Sequence, residues 1–198
     1  MKNVFGRFFG PTPADNGEQE RLFRADLSFH ESRSDEYLVD LMTPENRGFD
    51  LFTDYFLDAA RVRSGALTLF SKEASLLERY IECYKFALGK ELNVRFNVQQ
   101  EADWELPAFI LFPLVQNGLQ HGYNSMEDYP LKITLKIFPS SLMLEVSNRV
   151  NHYINSQQTG QRIENYKARL SACYPDRHFL LFNSNSRTFK STLTIKIT

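Results

Sequence analysis

Hydrophobic residues recur along this chain with two different periods, and the change of period separates helices from strands. A spacing of three to four residues predicts helices over residues 47–63 and 71–88, with Ser71 as a candidate cap of the second. Strict alternation in ELNVRFNVQQ then predicts a strand over residues 91–100. The first half of the chain is therefore helical and leads into a sheet.

The second half predicts one more helix, a hairpin, a further helix and a final hairpin. A helix is expected from near Pro107, and Pro113 inside its pattern predicts either a kink or a later start. Alternating runs over residues 131–137 and 142–146 are joined across PSS as a hairpin. The polar loop VNHYINSQQTG, a helix after Gly160 and a hairpin about NSNS complete the order. This order predicts an α+β fold, a two-layer α/β sandwich with helices on one face of a mixed sheet.

Composition and charge remove several classes of function. The 198 residues are 42% hydrophobic and 24% charged, which is typical of one or two globular domains. A formal charge of -1 gives no overall field that would recruit nucleic acid or an anionic membrane. No apolar run approaches the roughly 20 residues of a membrane span, and the N-terminus lacks the apolar core of a signal peptide. We expect a cytoplasmic protein with no transmembrane segment.

The two cysteines, Cys83 and Cys173, have no metal-binding spacing. This favours reduced thiols in a cytosolic protein, with a disulfide as the open alternative.

A polar stripe interrupts the helix in PLVQNGLQHGY. Asn117 and His121 are four residues apart and share one helical face, whereas Leu114, Val115 and Leu119 point largely elsewhere. Two interpretations remain open from these residues alone: a solvated surface, or one wall of a binding site.

Four blocks in this order resemble the LytS-type sensor histidine kinases. LPAFILFPLVQNGLQHGY is similar to their N box, whose usual pattern is close to PPLLLQPLVENAIKHG, and LFSKEASLLERYIECYKF to the tyrosine-rich helix before the first strand. GQRIENYKARLSACYPDRHFLL resembles GIGLxNxxxRLxxxYP, and FKSTLTIKI resembles the terminal GTxVxIxI strand. The resemblance implies the GHKL ATP-binding fold, with nucleotide between the helices under a lid.

The resemblance also assigns candidate roles to individual residues. Asn117 matches the asparagine that holds Mg²⁺ on ATP, and a side-chain carbonyl oxygen is a suitable hard ligand. His121 matches a histidine near the phosphates. Asn148 stands where an aspartate accepts a hydrogen bond from the adenine amino group, which an amide oxygen can also accept. Gly160 matches the first glycine of the lid motif.

Departures from the family pattern leave the strength of ATP binding open. Gln116 replaces the acidic residue before the N-box asparagine, and the DNGxG motif is reduced to SNRVN. Arg162 replaces the second lid glycine, so a long side chain stands where backbone amides would approach phosphate. Arg162 could instead bind phosphate through its guanidinium group. Normal ATP binding and weak or lost binding both remain open.

The phosphoacceptor is the weakest part of the resemblance. Members of the family carry PHFLFN, but the corresponding region here is SDEYLVDL, with Glu36 where the histidine should be. A carboxylate cannot form the phosphoramidate of the relay. FHESRS resembles the HExR[ST] core of the broader acceptor box and makes His30 a second candidate, with a solvated helix histidine as the alternative.

Together these features predict a two-component signal transduction protein with a degenerate histidine-kinase-like domain. We expect a tail over residues 1–20, a helical dimerisation or phosphoacceptor-like segment over 21–89 and the ATP-binding domain over 90–198. The helix pair at 47–88 predicts a homodimer, and a response regulator is the expected partner. The alternative is a pseudokinase that serves as a non-catalytic dimerisation and partner-binding module.

Overall fold

The computed structural model describes residues 13–42, 49–89, 92–122, 127–150 and 157–197. Within these ranges the helices are α1 (Pro13–Arg33), α2 (Glu36–Asp40), α3 (Phe49–Arg61), α4 (Phe70–Leu88), α5 (Phe112–His121) and α6 (Gln157–Cys173). The strands are β1 (Leu67–Leu69), β2 (Val94–Gln100), β3 (Glu105–Pro107), β4 (Leu131–Phe138), β5 (Ser141–Arg149), β6 (His178–Ser184) and β7 (Thr188–Lys196). The first twelve residues of the predicted tail, and His152 in the predicted loop, lie outside the described residues.

One mixed sheet of five strands runs in the order β2-β4-β5-β7-β6. β2 pairs in parallel with β4, and the other three pairings are antiparallel. Alternate residues of the central strands are buried under the helices, so the sheet has one covered and one open face. β1 and β3 form a separate two-stranded antiparallel ribbon.

The hydrophobic core joins the sheet, α4, α5, α6 and the N-terminal helices in one cluster. Phe52 and Tyr55 of α3 are buried in it, as are Tyr80 and Tyr84 of α4. The aromatic faces that prompted the dimer prediction are therefore buried within one chain, and the homodimer itself stays a prediction. The boundary predicted at residues 89 and 90 likewise stays a prediction, with buried side chains on both sides of it sharing one cluster.

Gly118 sets the distance between α5 and the sheet. A Cβ atom at this position would lie 2.9 Å from both Leu131 Cδ1 of β4 and Val146 Cγ1 of β5. The helix can lie this close to the strands because glycine has no side chain there. Pro113 sits at the start of α5, which confirms a later helix start and excludes a kink.

The predicted two-layer α/β sandwich is confirmed, and the predicted elements after residue 47 are present. Helix α1 is the main element that the hydrophobic pattern did not predict. It begins at Pro13, inside the range assigned to a tail, and it packs along α6.

Candidate functional site

The polar stripe of α5 faces a cleft between helices. Five of its residues, spaced three and four apart, line the cleft: Pro113, Gln116, Asn117, Gln120 and His121. The opposite side of the same helix carries Leu114 and Gly118 against the sheet. The polar residues that looked out of place in the sequence therefore form one wall of a cavity.

Helix α6 supplies the facing wall through Arg162 and Ile163. Arg162 donates a hydrogen bond from Nη1 to Gln120 Oε1 at 2.9 Å. Burial, and secondarily the positive charge of Arg162, lower the pKa of His121 below its usual value. At neutral pH the imidazole is therefore largely neutral, while the guanidinium beside it keeps its charge.

Helix α1 closes the third side of the cleft. Ser28, Glu31 and Ser32, on one face of α1, line it. Gln116 donates from Nε2 to the Ser32 carbonyl oxygen at 3.0 Å, and Asn165 of α6 donates from Nδ2 to Glu31 Oε1 at 3.2 Å. The cleft that remains is narrow, with a cavity volume of about 20 Å³. That is room for one or two water molecules.

Phe29 anchors α1 between the other helices. Its side chain is buried and meets the Phe109 ring edge-on, with ring centroids 5.9 Å apart. The guanidinium of Arg169 lies over the ring at 5.3 Å and donates to the carbonyl oxygens of Ala108 and Phe109. This contact, with the hydrogen bonds to Ser32 and Glu31, fixes the C-terminal half of α1 against α5 and α6.

Asn148 projects from β5 toward the helices, two residues beyond Val146 on the same covered face. Its Nδ2 donates to the Arg149 carbonyl oxygen at 2.8 Å. Its Oδ1 is buried and accepts no hydrogen bond from the described residues. A buried acceptor without a donor is costly and is satisfied in most proteins, so a donor from outside these residues fits here.

The two remaining predicted positions, Gly160 and His30, do not line the cleft. Gly160 is exposed in the first turns of α6, and a Cβ there would meet nothing within 4 Å. His30 is two residues from both Ser28 and Ser32, so it lies on the side of α1 that points away from the cleft. Its Nε2 lies 3.5 Å from Asp26 Oδ2. Glu36 is exposed at the start of α2.

A buried carboxylate, Asp35, connects the cleft to the N-terminal helices. It caps α2 by accepting from the backbone N–H groups of Tyr37 and Leu38. It also accepts from the hydroxyl groups of Tyr80 and Tyr84, the latter at 2.5 Å, and from Gln120 Nε2 at 2.8 Å. Asp35, Gln120 and Arg162 therefore form a continuous chain of hydrogen bonds.

Comparison with solved structures identifies the fold. The histidine kinase AdeS of Acinetobacter baumannii superposes with a TM-score of 0.51 over 96% of this chain and 87% of that chain, at 10% sequence identity. A nucleotide-free form of the catalytic domain of histidine kinase ThkA gives a TM-score of 0.49 over 66% of this chain and 95% of that chain, at 13% identity. No protein family profile matches the sequence.

A sequence relative covers a smaller part. The protein YwpD of Bacillus subtilis (strain 168) is 30% identical over 59 residues, which are 30% of this chain. The match spans 21% of the length of YwpD.

The chain thus has the fold of histidine kinase catalytic domains, the GHKL fold. The predicted fold family is confirmed, while the LytS-type assignment and the degeneracy of the domain stay predictions. In the described ranges no helix is long and apolar enough to cross a bilayer.

Proposed function

We propose that this chain is a two-component signalling protein whose α5–α6 cleft binds an adenine nucleotide with Mg²⁺. The observation that carries the proposal is the convergence of Asn117, His121 and Arg162, from two separate helices, on one cleft. An amide, a neutral imidazole and a guanidinium together provide a metal ligand, a hydrogen-bonding ring and a fixed positive charge. This set of groups suits a phosphate chain that carries a cation.

Asn148 supports the adenine end of the assignment. The exocyclic amino group of adenine is a hydrogen-bond donor, and Oδ1 of Asn148 is a buried acceptor with no described donor. Because the amide is neutral, this bond is weaker than one to the aspartate that the family carries. We therefore propose that adenine binds here with reduced affinity.

The residues present fit Mg²⁺ through few protein ligands. Asn117 would supply a carbonyl oxygen from the cleft wall on α5. Mg²⁺ commonly takes one or two protein ligands and completes its shell with water and phosphate oxygens. When bound it would neutralise phosphate charge, and Arg162 would add a second positive charge beside it.

The width of the cleft makes nucleotide binding depend on α1. A space for one or two water molecules does not admit a triphosphate. Ser28, Glu31 and Ser32 would have to withdraw to make room, with loss of the hydrogen bonds from Gln116 and Asn165. We propose that docking of α1 and binding of nucleotide compete for the same cleft.

Phosphorylation of this chain by itself is the less favoured part of the assignment. The side chain of His30 points away from the cleft and belongs to a surface cluster with Asp26 and Arg33. Glu36 cannot carry a phosphoramidate. We therefore propose a protein with doubtful autokinase activity, which passes its signal to a response regulator or another signalling protein through nucleotide-dependent conformation or a phosphoacceptor in trans.

The second candidate is a pseudokinase that binds partners and no nucleotide. Two observations favour it: Arg162 occupies the position of a lid glycine, and α1 already fills the cleft. In this case α1 is a permanent part of the core, and the polar stripe of α5 holds it in place.

Calorimetric titration with a non-hydrolysable ATP analogue, with and without Mg²⁺, decides between the two candidates. Nucleotide binding is expected to depend on Mg²⁺ and to fall at least tenfold in Asn117→Ala. Asn97→Ala is the matched control, because Asn97 is exposed on β2, away from the cleft. Absence of heat with the wild-type chain, or equal binding by both variants, would reject the nucleotide site.

A further inference from the structure

The open face of the sheet is a second surface with a distinct chemistry. Its side chains are those that alternate with the buried positions, and the strand register places them in rows across all five strands. One row reads Arg95, Lys132, Ser147, Lys190 and Asn183. Another row, four residues further along β4, reads Gln99, Lys136, Met143, Thr194 and Phe179.

Positive charge is concentrated on this face. Its outward strand positions hold six basic side chains, Arg95, Lys132, Lys136, Arg149, Lys190 and Lys196, and one acidic side chain, Glu145. The whole chain carries a formal charge of -1, so the rest of the molecule is acidic by comparison. A local field of one sign on a nearly neutral protein can steer a partner of opposite charge.

The arrangement of these charges is unfavourable for the isolated chain. Arg95 and Lys132 are register partners on adjacent strands, and like charges in such positions destabilise a sheet. Glu145 pairs with Lys190 at 2.6 Å. Within the described residues, Arg95, Lys132 and Lys136 form no ion pair. A negatively charged partner would relieve this repulsion.

An apolar margin borders the charges on the outer strand. Phe179 and Leu181 of β6 are 51% and 66% exposed, on an edge strand that pairs with β7 alone in the described structure. Met143 lies in the row of Phe179, two strands away. Basic centre and apolar margin together form one continuous surface, which we call the open-face patch.

We propose that the open-face patch binds an acidic protein surface that also carries exposed aliphatic side chains. Single-stranded RNA is a weaker fit, because sheet faces that bind RNA stack bases on adjacent aromatic rings and this patch has one exposed ring at its edge. Complementary charge together with apolar contacts is a combination that protein interfaces use. The proposal is independent of the nucleotide site, which lies on the covered side of the sheet.

The test measures binding of a fluorescein-labelled helical peptide built from glutamate with a leucine at every fourth position, by anisotropy at low salt. The double variant Lys132→Glu, Lys136→Glu should bind at least tenfold more weakly than the wild-type chain. Lys72→Glu with Lys167→Glu is the matched control: it makes the same change of net charge on α4 and α6, and should bind like the wild-type chain.

Three results would overturn the proposal: no binding of the acidic peptide to the wild-type chain, equal losses in both double variants, or tighter patch-dependent binding of single-stranded RNA or phosphatidylserine vesicles. Phe179→Ala with Leu181→Ala separates the apolar contribution, and should weaken binding of the leucine-containing peptide more than that of polyglutamate. Both substituted side chains are exposed, so this double variant should unfold at the same temperature as the wild-type chain. Thermal unfolding followed by circular dichroism checks this.

Discussion

Arg162 is fastened to Gln120 by a hydrogen bond of 2.9 Å, which joins helix α6 to helix α5 at the cleft. The other end of the Gln120 amide donates to Asp35 at 2.8 Å. Asp35 therefore holds the Gln120 amide in place, and Gln120 in turn fixes the orientation of the Arg162 guanidinium.

Removal of this amide should weaken the nucleotide site. We expect Gln120→Ala to reduce Mg²⁺-dependent affinity for the ATP analogue about five- to tenfold, the effect of one lost hydrogen bond. Gln99→Ala, on the exposed side of β2, is the control. Equal affinity of Gln120→Ala and the wild-type chain would show that Arg162 needs no such support.

Asp35 should be one of the most sensitive positions for stability. Asp35→Ala removes the cap of α2 and leaves Tyr80, Tyr84 and Gln120 without their acceptor. We expect a loss of about 3 kcal/mol or more in the free energy of unfolding, measured by urea titration. Asp40→Ala, at an exposed position of the same helix, should change it by less than about 0.5 kcal/mol. Similar values for the two variants would contradict the role given to Asp35.

Glu73 should make stability depend on pH. Burial raises the pKa of this carboxyl to about 7, although the backbone N–H groups of Phe109 and Leu111 donate to it. Because the folded chain holds the proton above the unfolded pKa, stability should fall as pH rises from about 4.5 to 7. The fall attributable to Glu73 is at most about 3 kcal/mol.

The variant Glu73→Gln isolates this contribution, since it cannot titrate. The difference in unfolding free energy between variant and wild-type chain should change with pH across that window and be constant above it. Parallel pH curves for the two proteins would exclude Glu73 as the titrating group.

Gly118 should tolerate no side chain. Gly118→Ala places a methyl group 2.9 Å from Leu131 and Val146, and overpacking of this kind costs roughly 1–3 kcal/mol. Gly17→Ala is the matched control, because Gly17 is also helical and has nothing within 4 Å of the new Cβ. That variant should be stabilised by about 0.5–1 kcal/mol. Thermal unfolding of the two variants should therefore shift in opposite directions.

Nucleotide should release α1 if the two compete. We expect amide hydrogen exchange over residues 28–33 to speed up when the ATP analogue and Mg²⁺ are added, while exchange in β4 stays unchanged. Gln116→Ala removes the hydrogen bond to Ser32 and should raise nucleotide affinity. Slower exchange in α1 with nucleotide would mean that the helix is part of the bound site.

The regular alternation of apolar residues made the sheet predictable from the sequence. Leu131, Ile133 and Leu135 alternate with polar residues, and the strand they form buries that face. Helix α1 gave no comparable signal, because it has few apolar residues and Leu22 and Phe23 among them are exposed. Its docking rests on one buried ring, Phe29, and on polar contacts that only the tertiary structure brings together.

The candidate site was partly predictable for a similar reason. Asn117 and His121 share a helical face, so their spacing placed them side by side. Gln120 and Asp35 were not predicted to act with them, because residues 85 positions apart meet only through the packing of α1 and α2 against α5. Asn148 was proposed from the family resemblance alone, and its side-chain oxygen accepts no hydrogen bond from the described residues.

The 21 residues of α1 form a lever of about 30 Å, at 1.5 Å per residue. Its C-terminal end is held at the cleft by the hydrogen bond from Gln116 to Ser32 and lies beside Asp35, which caps α2. If α1 tilted by about 10° about this end, its N-terminal end would move by about 5 Å. A small change in the width of the cleft would therefore move the N-terminal end of α1, at the surface, by about the distance between two neighbouring strands.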